Sequence, residues 1–166
     1  VKHKIKIRSI KGENYMARQK NALRKHFIAP FNPANPTTEP EKQAFKLLAK
    51  YIKTVNDEAD EDTDDVAWYD GDGTPEEQVN SVKPGYSFEG DFDVEDEAQA
   101  LIASLKYKVG DARKVWFKVV SADNKKQWTA VANVSGIKTG EGDANEYEKF
   151  EVTIKWITLP KETPVA

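Results

Sequence analysis

The 166-residue chain has no cysteine, one methionine and two histidines. Without thiols there is no disulfide scaffold, no thiolate metal site and no cysteine nucleophile. His3 and His26 stand among Lys and Arg, a setting that argues against a histidine-based metal or general-base centre. No apolar run approaches the roughly 18 residues of a membrane span, and no charged-then-apolar signal segment opens the sequence. Phosphate-binding Gly-rich loops, the Gly-x-Ser-x-Gly nucleophile turn and the dinucleotide fingerprint are missing. These absences predict no catalytic residue, no metal ligand and no cofactor. What is there is 39% hydrophobic, 32% charged and 10% aromatic, the mixture of one soluble domain around one core. A chain this long buries roughly 70% of its unfolded surface and needs no staple.

The net charge of -3 conceals an asymmetry. Residues 1–30 carry nine Lys/Arg against one Glu. Residues 57–97 carry seventeen Asp/Glu against Lys83 alone, and the remainder is mildly basic. The acid falls into two blocks, Asp57 to Asp65 and a second block within a strand-like pattern.

The start of the chain has its own signal. Lys11-Gly12-Glu13-Asn14-Tyr15 precedes the single Met16, and one back-translation, AAA GGA GAA AAT TAT ATG, places a purine-rich ribosome-binding sequence ahead of a start codon. Residues 1–15 are therefore expected to be translated leader, with a genuine basic arm as the alternative. Residues 16–38 read as an extended arm, because Pro30, Pro33 and Pro36 deny both helix and central strand.

Thr38-x-x-Glu41 then offers a capping box, and Ala44, Phe45, Leu48, Tyr51, Ile52 and Val55 recur at helical spacing. That predicts a helix near 39–54, followed by an acidic loop and a short strand over 66–69. Tyr86, Phe88, Phe92 and Val94 alternate with Ser87, Glu89, Asp91 and Asp93, the pattern of a half-buried strand with an acidic outer face. A helix near 96–106 is expected from Ala98, Leu101, Ile102 and Leu105. Strands follow at 113–120, 128–135 and 150–157, and residues 160–166 read as a tail. The main domain spans 39–159, mainly β with flanking helices: an antiparallel β-sandwich or barrel.

Few motifs carry chemistry. Asp70-Gly71-Asp72-Gly73-Thr74 opens like a calcium loop, but Pro75 and Ser81 stand where a Gly and a Glu are required, so a turn is the better reading. Carboxylates in a row on one strand face make a surface rather than a catalytic pair set across a cleft. Trp116, Trp128 and Trp156 alternate within strands as core residues do, the alternative being an aromatic platform for sugar. A basic stripe for nucleic acid is absent from the strands.

The order of three segments resembles the major tail-tube proteins of long-tailed bacteriophages: Ala22-Leu23-Arg24-Lys25-His26-Phe27-Ile28-Ala29-Pro30; Trp68-Tyr69-Asp70-Gly71-Asp72-Gly73-Thr74-Pro75-Glu76; and Tyr86-Ser87-Phe88-Glu89-Gly90 through Ala98-Gln99-Ala100-Leu101-Ile102. The likeness runs from residue 17 to about 160. It implies a structural virion protein, made in the host bacterial cytoplasm, that assembles with itself into hexameric rings stacked as a hollow tube. It further implies contact with tape-measure, tail terminator and baseplate proteins, passage of double-stranded DNA without specific binding, and no membrane. By the same resemblance Ser87, Glu89, Asp91 and Asp93 face an acidic lumen that conducts double-stranded DNA during ejection into the host. A related baseplate or neck protein and a carbohydrate-binding module are the alternatives.

Charge complementarity adds one expectation about stacking. Arg18, Lys20, Arg24 and Lys25, with Phe27, Ile28 and Phe31 as apolar anchors, would bridge to Asp57, Glu58, Asp60, Glu61, Asp62, Asp64 and Asp65 of an adjacent subunit.

Overall fold

The structure is a computed structural model that describes residues 18–166. The expected leader and Met16 lie outside the described residues. Ten strands account for most of the fold: β1 (Lys25–Pro30), β2 (Lys46–Leu47), β3 (Ile52–Asp57), β4 (Asp60–Val66), β5 (Glu76–Lys83), β6 (Gly85–Asp91), β7 (Lys114–Val120), β8 (Lys126–Thr139), β9 (Lys149–Trp156) and β10 (Lys161–Pro164). The single α-helix among the described residues, α1, spans Glu97–Ser104.

Eight strands form one antiparallel sheet in the order β2-β1-β7-β8-β9-β6-β3, with β10 also on β8. Strand β8 organises it. One edge of this 14-residue strand pairs with β7, and the other pairs with β10 near its start and β9 near its end. The register slips between Ser135 and Lys138, where Gly136 adopts φ +60°, so a bulge bends β8 within its pairing with β9.

Alternation decides which side chains enter the core. Phe150, Val152, Ile154 and Trp156 of β9 point inward, as do Val115, Phe117 and Val119 of β7 and Phe88 of β6. Ala98, Ile102 and Leu105 of the α1 region close over them. Trp156 Nε1 donates to the Phe117 carbonyl at 3.0 Å, so the indole is buried with its donor satisfied. A smaller cluster of Ala29, Phe45 and Trp116 lies on the opposite face of β1 and β7. Chain 31–45 folds back over that face, which is why β7 is buried on both sides.

The expected helix at 39–54 does not form. Its place is taken by a 3-10 turn at Lys42–Ala44, then β2 and β3. Phe45 belongs to the small cluster and Leu48 to the main core, so the two apolar residues serve opposite faces of a sheet. Tyr51, at φ +58°, reverses the chain into β3 and is itself exposed. The Leu48 N–H donates to the His26 carbonyl at 2.8 Å, and pairing with β1 overrides a weak local preference.

Three other boundaries change. The extended arm ends at β1, which is a central strand between β2 and β7, with Pro30 its last residue and Pro33 and Pro36 in the return loop. The acidic loop and the expected strand at 66–69 become a two-stranded ribbon, β4 on β5, whose connection carries Trp68 and Tyr69. The tail contributes β10. The expected strands at 113–120, 128–135 and 150–157 and the helix near 96–106 correspond to β7, β8, β9 and α1.

Candidate assembly surfaces

The outer face of the sheet is polar across four strands. On β6, Ser87 lies opposite Asn56 and Thr153, Glu89 opposite Thr54 and Glu151, and Asp91 opposite Lys149. On β8, Ser135 and Lys138 extend the row beside Thr153 and Glu151. Lys53 Nζ lies 2.8 Å from Asp91 Oδ1 and Lys138 Nζ 3.1 Å from Glu151 Oε2. Hydrogen bonding to Glu151, and its charge, raise the Lys138 ammonium above the ordinary lysine value. Ser87 Oγ donates to Glu58 Oε1 at 2.7 Å.

The β6 row keeps its acidic Glu89 and Asp91, while lysines on the neighbouring strands balance the charge of the four-strand face as a whole. The lysines come from β3, β8 and β9. Those of β9 were readable at its alternate positions, Lys149, Glu151, Thr153 and Lys155, once its apolar face had been assigned. Asp93 is not part of the face. Beyond the end of β6, its Oδ2 meets Lys50 Nζ at 2.6 Å, its Oδ1 accepts the Glu95 N–H at 2.9 Å, and its own N–H donates to Gln99 Oε1. The Lys50 hydrogen bond, with the Glu95 N–H behind it, holds the Asp93 carboxyl below the usual range. Asp93 therefore anchors the entry to α1.

The β4–β5 ribbon is the second surface. Asp60, Glu61, Asp62, Asp64 and Asp65 are all exposed, and none forms an ion pair among the described residues. Trp68, Tyr69, Val79 and Val82 are exposed as well. Asp57 ends β3, where its Oδ1 accepts the Ala59 N–H at 2.8 Å, and Glu58 holds Ser87.

The basic segment behaves differently from expectation. Arg18, Lys20 and Lys25 are exposed, and Arg24 Nη1 donates to the Tyr86 hydroxyl at 3.1 Å. Ile28 is fully buried in the main core, and Phe27 and Phe31 pack on the cluster of Ala29, Phe45 and Trp116. The proposed anchors are thus spent inside their own subunit, because β1 is a structural strand and not a free arm.

Two buried polar residues were not anticipated. His26 packs edge-on against Tyr86 and Phe88, and burial, helped by Arg24, lowers its pKa to about 4. Lys118 shares a face of β7 with Trp116 and is buried with it; the fold-back of 31–45 that covers both had no signal in the sequence. Among the described residues no group of three or more His, Cys, Asp or Glu side chains converges as a metal site, and no helix is long and apolar enough to cross a membrane.

The curled antiparallel sheet matches the fold of phage-type tail-tube proteins. A chain of the tail of an empty gene transfer agent particle, refined with C6 symmetry, superposes with a TM-score of 0.65 at 13% identity, covering 88% of this chain and 99% of that one. The SPP1 tail tube gives 0.58 at 11% identity over 90% and 80%. A sheath–tube complex of an extracellular contractile injection system gives 0.51 at 12% over 91% and 95%. Each of these is a structural part of a particle. No protein-family profile matches the chain, and no curated protein matches it in sequence.

Proposed function

We propose that this chain is the subunit of a phage-type tail tube, assembling with itself into six-membered rings that stack around a channel for double-stranded DNA. The carrying observation is the shared fold with the C6 tail of the gene transfer agent particle over nearly the whole of both chains. The polar face of β3, β6, β9 and β8 suits the channel wall, with Ser87, Glu89 and Asp91 toward the lumen. Duplex DNA carries one negative charge per about 1.7 Å, so a wall that bound phosphates would hold the genome back. Here Lys53 and Lys138 are tied to Asp91 and Glu151, which withholds their ammonium groups from phosphate without creating a strong field of either sign.

The exposed Arg18, Lys20 and Lys25 and the acidic ribbon then serve contacts between subunits. A tape-measure protein would occupy the lumen before DNA, terminator and baseplate proteins would close the ends, and the particle tail would be the protein's destination after synthesis in the bacterial host.

Electron microscopy of the purified protein at high concentration tests the reading. The expected result is long hollow cylinders of stacked rings with six-fold symmetry. Single closed rings that never grow would favour a baseplate or neck component, and a protein that stays monomeric at every concentration would overturn the proposal.

A further inference from the structure

Lys118 is unusual for its surroundings. It is 8% exposed, and its ammonium lies 4.3 Å from the centre of the Phe45 ring and 4.9 Å from that of Phe27. Among the described residues it has no hydrogen bond and no ion pair. Burial lowers its pKa. Rings of this kind attract a cation but do not replace the hydrogen bonds that water gave it.

The residue directly across from Lys118 on β8 is Thr129. Thr129 is also buried, and its hydroxyl has no partner among the described residues. Two adjacent cavities open beside the pair, of about 400 Å³ next to Thr129 and about 360 Å³ next to Lys118, and they share Glu39 and Gln127 in their walls. Lys25 and Lys42 line the second cavity, so the groove holds three lysines against the single side-chain carboxylate of Glu39. Lys118 and Thr129, paired across β7 and β8 on one face of the sheet, offer an ammonium without a counter-ion among the described residues and an unpaired hydroxyl, groups that suit the two oxygens of a carboxylate.

The same chain carries the complement. The β4–β5 ribbon is up to eight residues long and exposed on both faces, and among the described residues its carboxylates form no ion pair, although Lys83 stands across from Asp60. A lone two-stranded ribbon is marginally stable in water and gains order from a surface to lie on. We propose that the groove between Lys118 and Thr129 is the seat for a carboxylate from the acidic ribbon of a second copy of this chain. The proposal rests on the reading of the chain as a self-assembling subunit and names the contact that reading leaves open. Lys25 and Lys42 flank the seat and steer the acidic strand toward it.

Carbodiimide coupling of the full-length protein, mixed as ¹⁴N and ¹⁵N chains under assembly conditions and read by mass spectrometry, tests it. The expected products are isotopically mixed amides between Lys118 and the carboxylates of residues 60–65. Coupling of Lys118 confined to carboxylates of its own chain, or no coupling at all, overturns the seat. Two substitutions add a readout that a merely structural role would not give. Lys118→Met removes a charge that has no ion pair among the described residues, and Thr129→Val an unpaired buried hydroxyl, so the isolated subunit should melt at the same temperature or higher. Assembly should nonetheless demand more protein, on the order of tenfold more for Lys118→Met and less for Thr129→Val. Wild-type tubes together with unchanged assembly of both variants refute the seat and leave the tube reading standing; absence of wild-type tubes and of any mixed coupling defeats both.

Discussion

The eight-stranded sheet and the β4–β5 ribbon are both antiparallel and both regularly paired, yet they differ in what lies behind the pairing. Each central strand of the sheet sets an apolar row against α1 or against the folded-back segment 31–45. The ribbon has no such backing: its residues are exposed on both faces apart from Val66. Hydrogen bonds of a ladder contribute little net stability by themselves. The sheet is therefore held by burial within the chain, and the ribbon has no comparable support among the described residues.

The sharpest way to break that contrast is to remove sheet core. Phe117→Ala, at a fully buried position between β1 and β8, should destabilise the subunit by about 3–5 kcal/mol in urea unfolding. A loss below about 1 kcal/mol would mean that the core is not where the stability lies.

Acid probes the same core through His26. Its lowered pKa means that the unfolded chain binds the extra proton more readily, so the stability from neutral His26 is complete above pH 6.5 and is lost as pH falls toward about 4. A tenfold difference in proton affinity between the folded and unfolded chain is worth about 1.4 kcal/mol, so the whole effect amounts to about 3 kcal/mol. His26→Phe should flatten that part of the stability profile, and an unchanged slope between pH 6.5 and 4 in the variant would assign it to other groups.

Backbone packing at the sheet edge gives the next largest effect. A Cβ on Gly90 would lie 2.1 Å from the Tyr51 carbonyl oxygen, which accepts the Asp91 N–H at 3.0 Å. Gly90→Ala should therefore cost about 1–3 kcal/mol, measured as a lowered melting temperature with β3 the first segment to exchange its amides.

The ribbon should show the smallest effect in the isolated subunit. Val79→Ser and Val82→Ser, both exposed, should each alter its stability by no more than about 0.5 kcal/mol while slowing tube formation followed by light scattering. If either unfolds the monomer, the ribbon is part of the sheet's cooperative unit and the contrast fails.

What could be read from the sequence follows the same division. The strands β6, β7, β8 and β9 and the helix α1 announced themselves because a single buried face imposes a period of two or 3.6. Residues 39–54 misled because Phe45 and Leu48 serve two different cores, and the resulting spacing imitates a helix. The ribbon was read as a loop because exposed strands leave no apolar rhythm. On the candidate site, the outward position of Glu89 and Asp91 was legible from alternation within β6. The lysines that balance them stand on strands distant in sequence, so only register reveals them.

The placement of β1 also sets a schedule. It lies inside the sheet, with Lys25 opposite Val120 and Pro30 opposite Val115, although it leads the described chain. Pairings so distant along the chain carry a large loop-closure entropy and make folding slow, on the millisecond-to-second scale typical of non-local β topologies. During synthesis β1 emerges long before β7 exists. Until then Ile28 has no core to enter, and the groove beside Lys118, built from β1, β7 and β8 together, is not yet formed. The proposed docking seat thus needs β8 as well as β1, so a growing chain that has not yet reached β8 has no place to receive a neighbour.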